Sequence, residues 1–191
     1  MFLRRRPSDN EIRRFIAEQS ELPFSYPEVG ATATQPPLGT TIDHNRVQLG
    51  SGEAVFNRAV AALRGWRMFA IEGIELCWPG APITVGTTVA ILAGERGLWS
   101  LNACRVVYLI DENGPVTRCG FAYGTLPEHA VCGEERFLIE WVRATDEVVY
   151  DLLAFSRPSS PLLGFARPLL RRAQRRFARL SLQSMQRAAA A

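Results

Sequence analysis

Lysine is missing from this chain: all 22 basic residues are Arg. Codon bias in a GC-rich genome accounts for this most simply, since Arg and Lys differ in effect mainly where forked hydrogen bonding matters. Histidine is nearly missing too, and two residues, His44 and His129, exclude a His-rich metal site. Cysteine is sparse and scattered, with Cys77, Cys104, Cys119 and Cys132 at least 13 positions apart. That spacing rules out a CxxC clip for zinc or redox exchange, so these read as small buried side chains, and neither metal nor cofactor is expected. No apolar run approaches the roughly 18 residues of a membrane span, and the N-terminal MFLRRRPSDNEIRRF lacks the apolar stretch of a secretory signal. A cytoplasmic protein with free thiols is the expectation. Acid is missing from one end. Residues 157–191 hold eight Arg and no Asp or Glu, against 14 Arg and 19 acids in residues 1–156. Such a tail is either a solvated helix face or a dock for an acidic protein, an anionic membrane or nucleic acid.

What remains is an ordinary globular composition, 47% apolar and 21% charged, long enough for one domain with a real core. The whole of 1–191 reads as that single domain. An N-terminal helix and loop or hairpin occupy 1–40, a strand, helix and meander fill 41–157, and an Arg-rich helix covers 158–191.

The segment 43–69, DHNRVQLGSGEAVFNRAVAALRGWRMF, is the most informative stretch. A short alternating run meets Gly-Ser-Gly, and an amphipathic helix follows, with Val55, Phe56, Ala59, Val60, Leu63 and Trp66 on one side. Ser51 is the expected cap of that helix, predicted over 52–68 after a strand at 41–49. Upstream, Ser8 precedes a helix over 10–19 edged by Ile12, Phe15 and Ile16. The Pro-, Gly- and Thr-rich stretch 22–38 reads as a loop or loose hairpin. From 71 to 157, strand-like runs recur at 73–78, 86–93, 98–110, 116–126, 134–143 and 147–156. Turn signals of a few residues separate them, too short for parallel crossovers, so consecutive strands pair antiparallel. The small residues Gly120, Ala122 and Gly124 on one face of 116–126 would let another segment lie close. The closing helix, predicted from Ser160 to Arg187, groups Ala166, Leu169, Leu170, Ala173, Phe177 and Leu180 on one arc, with Arg171, Arg172, Arg175, Arg176 and Arg179 opposite.

Strand, helix, six-strand meander and long terminal helix together predict an α+β helix-grip fold, as in START and Bet v 1-like proteins: a curved antiparallel sheet wrapped around the C-terminal helix. A cavity between sheet and helix is the default ligand site of such an arrangement. Five blocks carry a more specific signal: DHNRVQLGSGEAVFNRA (43–59), WRMF (66–69), GLWSLNACRVVYLID (97–111), FAYGTLPEHAVCGEERFLIEW (121–141) and YDLLAFSRP (150–158). On these the chain resembles the domain-of-unknown-function 1990 family, also called uncharacterised protein family 0548, over almost its whole length. The stretch 128–132 (EHAVC) is less polar than the family pattern. The resemblance implies a family and no activity.

Candidate chemistry is therefore read from the residues. His44 is either a general base oriented by a carboxylate or a structural His; its neighbour Asp43 points to the opposite strand face. A hairpin turn would bring His129, Tyr123 and one of Glu134 or Glu135 to one sheet end as acid, base and polariser, or else leave solvated carboxylates in a tight turn. Gly50-Ser51-Gly52 lacks the longer Gly-rich pattern and the Lys of a phosphate loop, and Glu53 would repel phosphate. Arg105 requires a partner within its apolar strand, either Glu134 or Glu135, or a ligand carboxylate. Trp66, Trp99, Tyr108, Phe121, Tyr123, Trp141 and Tyr150 are core residues or the aromatic lining of a cavity that Arg105 and Glu135 would orient. The Arg face lacks interleaved aromatics, which argues against nucleic acid. Three functions follow: a binding module for a small apolar molecule, a cofactor-free enzyme of cyclase, isomerase or hydrolase type, or an interaction protein docking through Arg171, Arg172, Arg175, Arg176 and Arg179 on an anionic membrane or acidic protein.

Overall fold

A computed structural model describes residues 1–95, 97–160 and 167–190. Ser8 and Glu11 stand three apart, and each closes one backbone donor of the first turn of helix α1 (Asp9–Ser20): Ser8 N–H donates to Glu11 Oε2 at 2.8 Å and Glu11 N–H to Ser8 Oγ at 3.4 Å. Ahead of it, Phe2–Leu3 forms a short strand β1, which two residues beside an Arg run do not announce. The stretch 22–38 is a loop with one 3₁₀ turn at Ala31–Ala33.

Strand β2 (Thr41–Ser51) runs into helix α2 (Glu53–Arg64). The expected cap is corrected: Ser51 ends the strand, and Gly52, at φ +90°, makes the turn with no side-chain cap bond. A backbone bond from Gly52 N–H to Asp146 O (2.9 Å) holds the corner instead. After a 3₁₀ turn at Arg67–Phe69 come β3 (Ile74–Cys77), β4 (Thr88–Glu95), β5 (Leu98–Glu112), β6 (Val116–Thr125), β7 (Val131–Val142) and β8 (Glu147–Pro158), then helix α3 (Arg167–Ala190). All pairings are antiparallel. The eight-stranded sheet has the order β2-β8-β7-β6-β5-β4-β3, with β1 beside β5. The meander is thus the predicted one, and β2 completes it by pairing with the last strand. This is the helix-grip arrangement.

Both faces of the sheet are covered. On the inner face, α2, the Arg67–Phe69 turn and α3 pack on Val89, Cys104, Val106, Phe121, Tyr123, Phe137, Ile139, Trp141, Tyr150 and Leu152. On the outer face, Ile12 and Phe15 of α1 pack on Ala90, Leu92, Leu101, Ala103 and Leu126. α3 buries a different stripe from the one its strong apolar residues suggest. Ala178, Ser181, Ser184, Met185 and Ala189 face inward, whereas Leu169 is 70% exposed and Ala173 is exposed. The buried stripe is rotated by roughly a quarter turn. Small side chains let the helix approach closely, and the two hydroxyls are satisfied: Ser181 Oγ lies 3.1 Å from Tyr150 OH, and Ser184 Oγ donates to Arg67 O at 2.6 Å. Residues 161–166, including Ala166 of the expected arc, lie outside the described residues.

Candidate functional site

Sheet register lines up one row of side chains across the inner face. Tyr123 of β6 lies opposite Glu135 of β7, Glu135 opposite Ala154 of β8, and Ala154 opposite Asp43 of β2. The inner face is otherwise apolar near Tyr123, whose ring lies 5.1 Å from Phe137 and 6.2 Å from Phe69. Phe177 of α3 covers Phe69 at 5.4 Å. At the other end of the row, Arg171 of α3 clasps Asp43 (Nη2 to Oδ1, 2.7 Å), and Gln174 reaches Ser156 Oγ at 2.8 Å.

Within the row Tyr123 OH donates to Glu135 Oε2 at 2.8 Å. Among the described residues, the second oxygen of Glu135 has no protein hydrogen-bond partner, and it reaches solvent. Withdrawal from water raises the Glu135 carboxyl from its ordinary 4.5 to about 7; the Tyr123 hydroxyl opposes the rise and the nearby Asp43 charge adds to it. Burial likewise pushes the Tyr123 hydroxyl and the Cys104 thiol well up, and both feel the Glu135 charge. Glu135, Ala154 and Asp43 are half-buried, so this end of the inner face meets solvent. The arrangement can accept or donate a proton near neutrality and can hydrogen-bond a polar group on an apolar molecule.

Only part of the predicted constellation converges. Tyr123 and Glu135 do. Glu134, the next residue of β7, points to the outer face, where it is buried and accepts from Tyr26 OH (2.7 Å), Gly30 N–H (2.7 Å), Thr32 N–H (2.9 Å) and Thr32 Oγ1. That cage pins the 22–38 loop across the small face of β6, with the Tyr26 ring over Gly124. His129 stays in its turn, accepting from Val131 N–H at 3.1 Å; burial, then the nearby terminal ammonium, lower it to about 4. His44 finds its carboxylate across the sheet, not in Asp43: its Nε2 donates to Asp151 Oδ2 at 2.7 Å on the outer face. Arg46 and Arg136 donate to the same buried Asp151 at 2.8 and 3.0 Å, and Arg46 continues to Glu140 at 2.6 Å.

The expected lining is corrected in three places. Arg105 lies on the outer face and caps the C-terminus of α1, donating to the carbonyls of Gln19, Ser20 and Leu22 at 2.7–3.1 Å, so it pairs with neither Glu134 nor Glu135. Tyr108 is on the outer face with its OH 2.8 Å from Thr32 Oγ1. Trp99 packs with the α1 cluster, its ring against Gly94. Trp66, Phe121, Trp141 and Tyr150 lie on the inner face and take the first of the two expected roles, packed core: Trp66 lies 5.1 Å from Phe121, and Trp66 and Trp141 donate to Ala81 O and Asp146 Oδ1, each at 2.9 Å. Two clefts of about 620 and 400 Å³ lie on the outer side beside α1, lined by residues such as Leu3, Arg4 and Phe15, and Ile12, Arg13 and Trp78. Among the described residues no group of three or more His, Cys, Asp or Glu is placed to hold a metal. Sequence reasoning missed Asp43, Arg171, Tyr26 and Thr32 as partners. The Asp43–Arg171 contact depends on β2 pairing with β8, for which no local pattern gives a signal, whereas the small face of Gly120, Ala122 and Gly124 announces a close-lying segment without naming Tyr26 and Thr32.

Comparison with known proteins fits this picture. A UPF0548 protein of Dictyostelium discoideum is 37% identical over 196 residues, covering 93% of this chain and 90% of that protein. One from Deinococcus radiodurans is 42% identical over 202 residues, covering 99% of each. Among solved structures, a hypothetical protein of Helicobacter pylori superposes with a TM-score of 0.53 at 13% identity, over 78% of this chain and 88% of that one, a likeness of fold alone. The model of the domain of unknown function DUF1990 matches residues 25–184, and with the Tyr123–Glu135 row and its flanking blocks inside that span, the chain belongs to the DUF1990 family.

Proposed function

We propose that this protein is a binding module for a small, largely apolar molecule carrying one polar group. The molecule lies at the rim of the aromatic floor formed by Phe69, Phe137 and Phe177, beneath the first turns of α3. Its polar group meets Glu135 and Tyr123. The observation that carries this reading is the free oxygen of Glu135: a half-buried carboxyl against an apolar floor, held by one hydroxyl, with its second acceptor open at the edge. Glu134, one residue away, is saturated by protein donors, whereas the second oxygen of Glu135 opens to solvent at an apolar rim, where the polar group of an external partner can take the place of water. Ala154 supports the reading by leaving the gap between Glu135 and Asp43 empty of side-chain bulk. The ligand sits at a rim, because stacked rings fill the interior beneath it.

The test is native mass spectrometry of the protein purified from its own host. The wild type retains a small molecule, Ala154→Phe loses it by filling the gap, and Glu135→Gln retains less. Identical spectra for all three, with no added mass, would refute the proposal. A proton-transfer enzyme on the same row is the second reading, favoured by a Glu135 carboxyl that titrates at about 7. It requires the bound molecule to change in mass or structure on incubation with the wild type and not with Glu135→Gln.

A further inference from the structure

The helix that covers the inner face presents a second surface to solvent. On the side of α3 away from the sheet, Arg172, Arg175 and Arg179 are exposed, and among the described residues none of them makes an ion pair or hydrogen bond. Arg171 does not belong with them, since it is spent on Asp43, and Arg176 donates to Glu72 O at 3.3 Å. Spacings of three and four put the three free guanidinium groups on one stripe roughly 10 Å long. Leu169, 70% exposed, borders the stripe about a quarter turn away at its N-terminal end. An exposed leucine therefore stands at the end of a basic stripe, in a stretch, 157–191, that carries eight Arg and no acid.

We propose that this face of α3 docks on an anionic lipid bilayer, with Arg172, Arg175 and Arg179 against the headgroups and Leu169 dipping into the interfacial layer. Charge complementarity selects the occupant. An unpaired row of cations with an apolar tip matches a negatively charged surface that has an apolar layer just beneath. Nucleic acid fits less well, because the stripe has no aromatic side chain for base stacking and Phe177 faces the core. No described helix is long and apolar enough to cross a membrane, so the attachment is peripheral. This inference stands apart from the ligand reading, and the mass-spectrometric test does not bear on it.

The experiment is co-sedimentation of the full chain with vesicles of phosphatidylcholine alone and of phosphatidylcholine mixed with phosphatidylserine, in low salt and in about 0.5 M salt. The protein pellets with the phosphatidylserine vesicles only, and salt releases it. Replacing Arg172, Arg175 and Arg179 together by Gln weakens binding roughly a hundredfold, from about fivefold per basic residue near an anionic surface. Leu169→Ser weakens it severalfold, while circular dichroism of both variants matches the wild type. Equal binding to both vesicle types, undiminished binding by the triple variant, or no vesicle binding at all, including a case where polyglutamate or duplex DNA is bound instead, overturns the proposal.

Discussion

Replacing Glu135 by Gln removes a charge that the fold resists, so its effect on stability must depend on pH. In the folded protein the carboxyl holds its proton up to about pH 7, while in the unfolded chain it releases it near 4.5. Between those limits the unfolded state binds fewer protons than the native state, so native stability falls as pH rises. The loss is absent below about 4.5, grows through 5 and 6, and is complete above about 7. At about 1.4 kcal/mol per pH unit the full term is a little over 3 kcal/mol, and the partial contact of Glu135 with water reduces it to about 2. Gln stays neutral throughout and still offers Tyr123 an acceptor, so packing is conserved. Urea unfolding of wild type and Glu135→Gln at pH 4, 5, 6, 7 and 8 gives the difference directly, with other titrating groups cancelling. The variant should match the wild type at pH 4 and exceed it by about 2 kcal/mol at pH 8. A difference that is constant with pH, or a variant less stable than wild type at pH 8, would mean that the carboxyl is not withdrawn from water and that the row is no site.

Other expectations follow from the same geometry. His129, lowered from 6.5 to about 4, is kept neutral by the fold, so the unfolded chain takes up a proton first as pH falls; stability is lost between those values, and His129→Gln should flatten that acid limb in urea titrations. Asp151→Ala strips His44, Arg46 and Arg136 of their shared acceptor and leaves Arg136 uncompensated, which should cost about 3 kcal/mol in chemical denaturation. A Cβ at Gly124 would lie 2.1 Å from the Tyr26 hydroxyl, so Gly124→Ala should expel Tyr26 from the Glu134 cage at a cost of about 2 kcal/mol. Combined with Tyr26→Ala, that cost should be less than additive, and full additivity would show that the two do not meet.

Much of the fold could be read from periodicity and punctuation. The six meander strands follow runs of alternating residues and turn signals at positions such as Pro79-Gly80 and Asn113-Gly114, and Ser8 and Glu11 announce α1 by their spacing. The face of α3 could not be read this way. Apolar periodicity points to Leu169 and Ala173, but close packing against Tyr150 and the Arg67–Phe69 turn favours the small Ser181 and Ser184, whose hydroxyls find partners only in three dimensions. The site was half legible. Tyr123 and Glu135 face each other across one hairpin, a local relation. Arg105 and Tyr108 read as members of the same cluster because strand parity alone does not say which face is inner, and a register shift between Val106 and Tyr108 complicates the count. Asp43 and Arg171 meet over a separation of 128 residues, which no local pattern encodes.

Glu134 and Glu135 hang from adjacent peptide units, one tied into a cage outside the sheet and the other left with a spare oxygen inside it. The segment that carries Tyr26 and Thr32 is therefore anchored a single Cα away from the Glu135 carboxyl. An engineer wishing to retune that carboxyl without disturbing its immediate neighbours has a handle on the far side of the sheet, and the first place to pull is Thr32.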